Sequence, residues 1–346
     1  MKIALDAMGG DFAPDQVVAG GVQAHRELGV EVIFVGQKDK VDAALGKAGA
    51  GKWALIEDAP EVIAMDEHPA QAVRTKKNSS IVRACTMVED GRAAGFVSAG
   101  NSGAVMAAAL FGLRRIPGVE RPAIGAVIPT ATGRCLLLDA GANADARPEY
   151  LVQFARMGSI YAERLMAITN PRVGLLSNGE EPGKGNQLVQ ATEPLLRAAT
   201  GINFVGNVEG NDLFKGKADV IVCDGFTGNV LVKTAEGAAE LLFRSIREAI
   251  KGDPIASVGG VLVRPKLQAL RRRVDWRELG GWLLLGINGV TVIAHGRSDA
   301  TAIRSAIRAA RDAVDGQVVA TFTSAFTDSG AAPKGASAPA AGPFVT

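Results

Sequence analysis

Three aspartates, Asp6, Asp139 and Asp224, each close an apolar run and open a turn of small residues, in LDAMGGD, LLDAGAN and VCDGFTGN. Carboxylates so placed can gather Mg²⁺ for phosphoryl transfer, or each can cap its own turn by accepting main-chain N–H bonds. Gly100, Asn101, Ser102 and Gly103 precede Ala104 to Leu113, a run of strong helix formers. That turn delivers unpaired N–H groups and the positive end of a helix dipole to one point, where an anion such as phosphate fits. Gly225, Thr227, Gly228 and Asn229 do the same ahead of a helix expected from near Val230. The plainer reading of both turns is a tight bend with an N-cap. Lys184 in GKGN and Lys233 could offset an anion's charge or stand solvated at the surface. Among the 3 histidines, His295 in IAHGRSD closes a strand, which suits a catalytic, substrate-orienting or capping group.

Several chemistries find no support. The chain has no GxxxxGK[ST] loop and no GxGxxG after a strand, which disfavours nucleotides. It lacks a GxSxG elbow, an HExxH helix and a cysteine on a nucleophilic turn beside a histidine, which argues against a covalent intermediate on the protein. No cofactor or metal is called for. A net charge of +2 over 346 residues gives no field for nucleic acid.

Short Val-, Ile- and Leu-rich runs alternate with segments of helical period, the pattern of a buried, mostly parallel sheet flanked by helices. The fold class is α/β, a three-layer α/β/α sandwich. Strands are expected at Lys2–Leu5, Val30–Val35, Gly95–Val97, Ile124–Ile128, Cys135–Leu138, Arg172–Leu176, Ile202–Val205, Val220–Cys223 and Val290–Ala294, with helices at Pro148–Leu165 and Leu231–Lys251. The polar turns should then share one carboxyl edge, where open α/β sheets bind ligands. One domain over 1–328 is expected, with a helical protrusion at about 235–285 and a disordered Ala-, Gly- and Pro-rich tail at 329–346. Within the protrusion, an apolar stretch containing Val258 and Val261 runs into Arg264, Lys266, Arg271 and Arg272. It could insert among anionic lipids, attract an acidic protein or form a dimer interface. Cys85, Cys135 and Cys223 read as reduced core residues. Neither a signal peptide nor a membrane span is expected.

Further blocks extend these motifs: MKIALDAMGGDFAP, AVRTKKNSS, SAGNSGA, LLLDAGAN, GLLSNGEEPGKGN, DGFTGNV and INGVTVIAHGRSDATAI. In order and spacing they resemble the bacterial acyl-carrier-protein:phosphate acyltransferase family of phospholipid synthesis, the PlsX family. The resemblance implies a Rossmann-like fold related to phosphate acetyltransferases and to isocitrate and isopropylmalate dehydrogenases. It implies a cytoplasmic homodimer touching the inner face of the membrane, with acyl carrier protein and inorganic phosphate as substrates. The product, an acyl phosphate, would pass to a membrane glycerol-phosphate acyltransferase. Phosphate would be the nucleophile, held by the Gly100–Gly103 turn and Asn229 with Lys184 or Lys233, while Asn143 and His295 orient the carbonyl or protonate the thiolate. Departures are Phe12 where the family often has His, Ser102 for Thr, extra polar residues in LSNGEEP, and LGGWLLLG for YGGAPLLG. The alternatives to this function are a Mg²⁺-dependent phosphoryl-transfer enzyme and a non-catalytic membrane scaffold.

Overall fold

The structure is a computed structural model, and it describes residues 1–251, 259–267, 270 and 276–327. Val258, Arg271, Arg272 and the expected tail at 329–346 lie outside the described residues. The chain begins β1 (Lys2–Asp6), α1 (Asp15–Leu28), β2 (Glu31–Gly36), α2 (Lys38–Lys47), β3 (Leu55–Asp58), α3 (Pro69–Thr75), α4 (Ser80–Glu89), β4 (Gly95–Ser98) and α5 (Ser102–Phe111). It continues through β5 (Ala123–Pro129), β6 (Arg134–Leu138), α6 (Pro148–Leu165), β7 (Arg172–Leu176), α7 (Gln187–Ala198), β8 (Asn203–Val208), α8 (Asp212–Lys215), β9 (Val220–Val222) and α9 (Gly225–Lys251). Residues 259–267 are helical (α10), followed by α11 (Trp276–Leu279), β10 (Trp282–Leu285), β11 (Val290–Ile293), α12 (Ala300–Asp315) and α13 (Val318–Thr327).

Each expected strand is present within a few residues, and α6 has the expected bounds. Two strands were not expected, β3 and β10. α9 starts at Gly225 rather than Leu231, because Asp224 accepts hydrogen bonds from Thr227 N (2.8 Å) and Thr227 Oγ1 (2.7 Å) and so starts the helix inside the DGFTGN turn.

All these strands join one sheet in the order β3-β2-β1-β4-β11-β10-β5-β6-β9-β7-β8. Its central strands are buried along nearly their whole length, as strands covered on both faces must be. Ile3, Leu5, Phe34, Phe154 and Ile303 pack on one face, under α1, α6 and α12. Ala4, Phe96, Ile81, Val105 and Ile221 pack on the other, under α4 and α5. This is the expected three-layer arrangement.

The sheet corrects one expectation. β11–β10, β10–β5 and β5–β6 are antiparallel, while β1, β2, β3, β4 and β11 are mutually parallel, as are β6, β7, β8 and β9. Three successive reversals point β6 to β9 opposite to β1 to β4 and β11. The polar turns therefore divide between two edges: those after β1, β4 and β11 on one, those after β6, β7 and β9 on the other.

α6 lies close on β9. A Cβ at Gly158 would sit 2.4 Å from Val220 Cγ1 and 3.1 Å from Leu138 Cδ1, both on fully buried residues. Gly158→Ala should cost about 1–3 kcal/mol of stability by overpacking, seen as a lower thermal midpoint with unchanged far-UV circular dichroism. Cys85, Cys135 and Cys223 are free and buried. Burial pushes the Cys85 thiol up to about 12 and raises the other two as well.

Candidate active site

At the first edge, Asp6 is fully buried at the end of β1. Its Oδ1 accepts from Met8 N (3.1 Å) and its Oδ2 from Ser98 Oγ (2.6 Å), and that hydroxyl in turn accepts from Gly100 N (3.0 Å). Burial pushes its carboxyl up, against hydrogen bonds from Ser80, Ser98 and the Met8 and Gly9 amides. Asp6 thus braces the turn that leads into α5. Gly9 closes this arrangement, since a Cβ there would lie 2.4 Å from Asp6 Oδ2 and 2.6 Å from Gly100 N. Asn101 caps α5, its Oδ1 accepting from Ala104 N at 3.0 Å. Its amide donates to the carbonyls of Ala64 (3.3 Å), Met65 (3.0 Å) and Glu67 (3.1 Å). The Asn101 side chain is therefore committed to holding the 64–67 loop. Gly103 approaches Pro69 of α3, to which a Cβ would come within 2.6 Å. Of the turn's side chains, Ser102 is the one that is exposed and lines the cleft described below. An α-helix leaves its first-turn N–H groups without intrahelical acceptors.

At the second edge, Asp139 accepts five N–H donors. Oδ1 takes Ile124 N (2.9 Å), Gly141 N (3.1 Å) and Ala142 N (3.0 Å); Oδ2 takes Asn143 N (2.7 Å) and Asn143 Nδ2 (2.9 Å). Burial raises its carboxyl and these donors pull it back. Asn143 also donates to Pro122 O (2.8 Å) and accepts from Gly225 N (2.7 Å) through its own carbonyl. Asp224 and Thr227 are joined in the α9 cap. The capping reading of Asp139 and Asp224 therefore describes what their oxygens do. Asp6 is on the opposite edge, and among the described residues no group of three or more His, Cys, Asp or Glu side chains could hold a metal ion.

α9 connects the two edges. Asn229 donates to Ala140 O (3.2 Å) at the second edge, and one turn later Lys233 Nζ reaches His295 Nε2 (2.8 Å) after β11. Both residues line a cleft of about 1310 Å³ with Ser102, Asp11, Glu236, Trp282 and Arg297. Lys233 is also 3.2 Å from Glu236 Oε2 and 5.6 Å from the centre of the Trp282 ring. An ammonium has no lone pair, so Nε2 must be the acceptor and the ring proton belongs on Nδ1. The Arg297 amide, 3.3 Å from Nδ1, would require the other tautomer, and the shorter contact with a charged donor decides between them. Burial lowers the His295 pKa most, followed by the Lys233 charge; Glu236 opposes, Arg297 adds to the lowering and Asp11 opposes. The ring is thus kept neutral, with a basic nitrogen facing a cation.

Ser102, Asn229, Lys233 and His295 come together in one cleft, whereas Asn143, Asp139, Asp224 and Thr227 do not line it. Lys184 is exposed in the loop after β7 and also stands apart from it. Asp11, Glu236, Trp282 and Arg297 were not singled out from sequence. Asp11 and Arg297 fall inside the MGGDF and HGRSD blocks, and Glu236 lies three residues past Lys233 on one helix face, so position gave a signal for them. On α9 and α10, Val261 (70%), Leu262 (78%), Leu241 (64%) and Leu242 (58%) are exposed, as are Arg264 and Lys266. Among the described residues no helix is long and apolar enough to cross a membrane.

Residues 1–321 match a family described as "Fatty acid synthesis protein". A phosphate acyltransferase of Pelotomaculum thermopropionicum is 52% identical over 319 residues, covering 92% of this chain and 93% of that protein. One of Heliobacterium modesticaldum is 51% identical over 322 residues, covering 92% and 96%. Among solved structures, a phosphotransacetylase from Streptococcus pyogenes superposes with a TM-score of 0.62 at 18% identity, covering 92% of this chain and 94% of that one. A branched-chain phosphotransacylase from Enterococcus faecalis gives 0.58 at 12% identity, covering 91% and 99%. At such identities these two speak for the shared fold. The family match and the sequence relatives, which extend over nine-tenths of the chain, show that it belongs to the fatty acid synthesis protein family of phosphate acyltransferases, and is an acyltransferase.

Proposed function

We propose that this cleft transfers a fatty acyl group from the thioester of an acyl carrier protein to inorganic phosphate, giving an acyl phosphate and free carrier for phospholipid synthesis. The observation that carries the reading is the Lys233–His295 pair, a cation against a neutral imidazole, in a cleft that also has an apolar wall from α9 and β5. Phosphate needs a counter-charge and donors, which Lys233, the second N–H of the Asn229 amide, the Ser102 hydroxyl and the Ser102 and Gly103 amides at the start of α5 can supply. A phosphate oxygen attacks the thioester carbonyl carbon, the C–O bond forms, and the oxyanion collapses with cleavage of the C–S bond. Lys233 turns from Nε2 to the bound phosphate, and the freed His295 Nε2 takes the proton from dihydrogen phosphate and returns it to the departing thiolate. Phosphate supplies the nucleophile, so no acylated side chain is required. Asn143 and Lys184 have no part in this scheme; Asn143 instead joins Asp139 in supporting the start of α9.

The test is to mix purified protein with acyl carrier thioester and phosphate and follow free carrier thiol. Release should depend on phosphate and yield hydroxylamine-reactive acyl phosphate. Release that ignores phosphate would refute the reading.

The exposed apolar residues of α9 and α10, beside Arg264 and Lys266, support peripheral contact with an anionic membrane surface. This would place the product near a membrane glycerol-phosphate acyltransferase. The proposal includes a homodimer. Val261→Asp with Leu262→Asp should cut binding to anionic vesicles at least about tenfold, since each buried side chain is worth roughly 1.5–3 kcal/mol. Sedimentation with vesicles measures this, and unchanged co-sedimentation would count against membrane contact.

A further inference from the structure

The apolar part of the cleft has no task in the chemistry at Lys233 and His295. On α9, Leu231, Ala235, Ala239 and Phe243 recur every fourth residue, are half-buried and line the cleft. That spacing keeps them on one side of the helix. Across from them stand Ala126 and Ile128 of β5, two residues apart and so on one face of the sheet, and Trp282 of β10.

This stripe has a direction. Trp282 lies under Lys233 Nζ and marks the end next to His295. From Lys233 to Phe243 the helix rises about 15 Å, the scale of an extended medium- to long-chain acyl group. The two alanines midway leave room between helix and sheet. Beyond them α9 carries the exposed Leu241 and Leu242, and the cleft is lined there by Leu242 and Phe243 together with Glu240, Arg244 and Arg247.

We propose that the Leu231–Ala235–Ala239–Phe243 stripe and the facing wall of β5 form the acyl-chain subsite, and that Ala239 sets how long a chain fits. The thioester carbonyl sits at Lys233 and His295, and the methylenes run along α9 toward Phe243. The inference rests on the acyl-transfer reading and deepens it by assigning the donor's tail a place.

The experiment compares native protein with Ala239→Phe and Phe243→Ala, using phosphate and carrier thioesters from butyryl to hexadecanoyl, with kcat/KM at each length. In Ala239→Phe the optimum should move to shorter chains. Hexadecanoyl should lose about tenfold or more, while chains ending short of Ala239 should keep their rates within about twofold. Phe243→Ala should change rates for the longest chains alone, and it covers the case where Ala239→Phe fails to fold. An equal loss at every length, or none in either variant, would overturn the subsite while leaving acyl transfer standing. No phosphate-dependent release from the native protein at any length would overturn the acyl-transfer reading itself.

Discussion

Replacing His295 with glutamine should lower kcat by about 10²–10⁴-fold, the range of a positioned acid–base group, with a much smaller change in phosphate KM. The side chain keeps similar size and one hydrogen-bonding end near Lys233 but has no basic nitrogen. The sign of the pH dependence follows from the site. In the proposed scheme His295 is the neutral base, and burial, Lys233 and Arg297 hold its pKa below the ordinary 6.5 against Glu236 and Asp11. Activity should therefore be flat at neutral pH and fall on acidification, through a midpoint below 6.5. Lys233→Met removes a charge that disfavours the imidazolium, so the acid limb should move to higher pH. The same variant should raise phosphate KM, because the counter-charge is gone. Initial rates against pH for both proteins decide the matter, and coincident acid limbs would mean that Lys233 and His295 are not coupled in solution.

Asp139→Asn should destabilise the folded protein by about 2–5 kcal/mol, with or without substrate. The carboxylate accepts from five N–H donors on two oxygens. Asparagine can satisfy one set through its carbonyl, but its NH₂ then confronts the others. If the three donors on Oδ1 keep their acceptor, both Asn143 donors lose theirs, at about 1–3 kcal/mol for each group left unsatisfied. Differential scanning calorimetry should show a midpoint lower by about 1–2 °C for each kcal/mol lost. Cys223 and the start of α9 pack directly on this turn, a Cβ at Gly228 coming within 3.0 Å of Asp139 C and of Cys223 Sγ. Activity should therefore fall with stability, and cooling should recover much of it. A stable variant that is inactive at every temperature would instead make Asp139 a direct participant.

The layered architecture was readable because buried strands and amphipathic helices leave periodic marks on a single chain. β10 was missed because WLLL, four residues after two glycines, carries no alternation to separate strand from helix. β3, LIED, is half polar because it ends the sheet and meets solvent. The direction of strands is a different kind of information. Nothing local to β6 says that it runs against β1 to β5, so the turns after β6, β7 and β9 cannot be assigned to their own edge from sequence. Site residues divided the same way. His295 and Lys233 could each be proposed from position, but their contact joins residues 62 apart in sequence. Asn101 and Asn143 stand in turns that look fit for ligands, yet their amides are spent on the protein. That difference depends on the 64–67 loop and on Pro122, which only folding brings near.

The three shielded thiols have a practical corollary. Because the native chain keeps its own sulfurs protonated and out of reach, a maleimide or disulfide reagent added during turnover should register newly liberated carrier with little background. The same reagent would report a chain that has unfolded, since unfolding releases all three thiols at once.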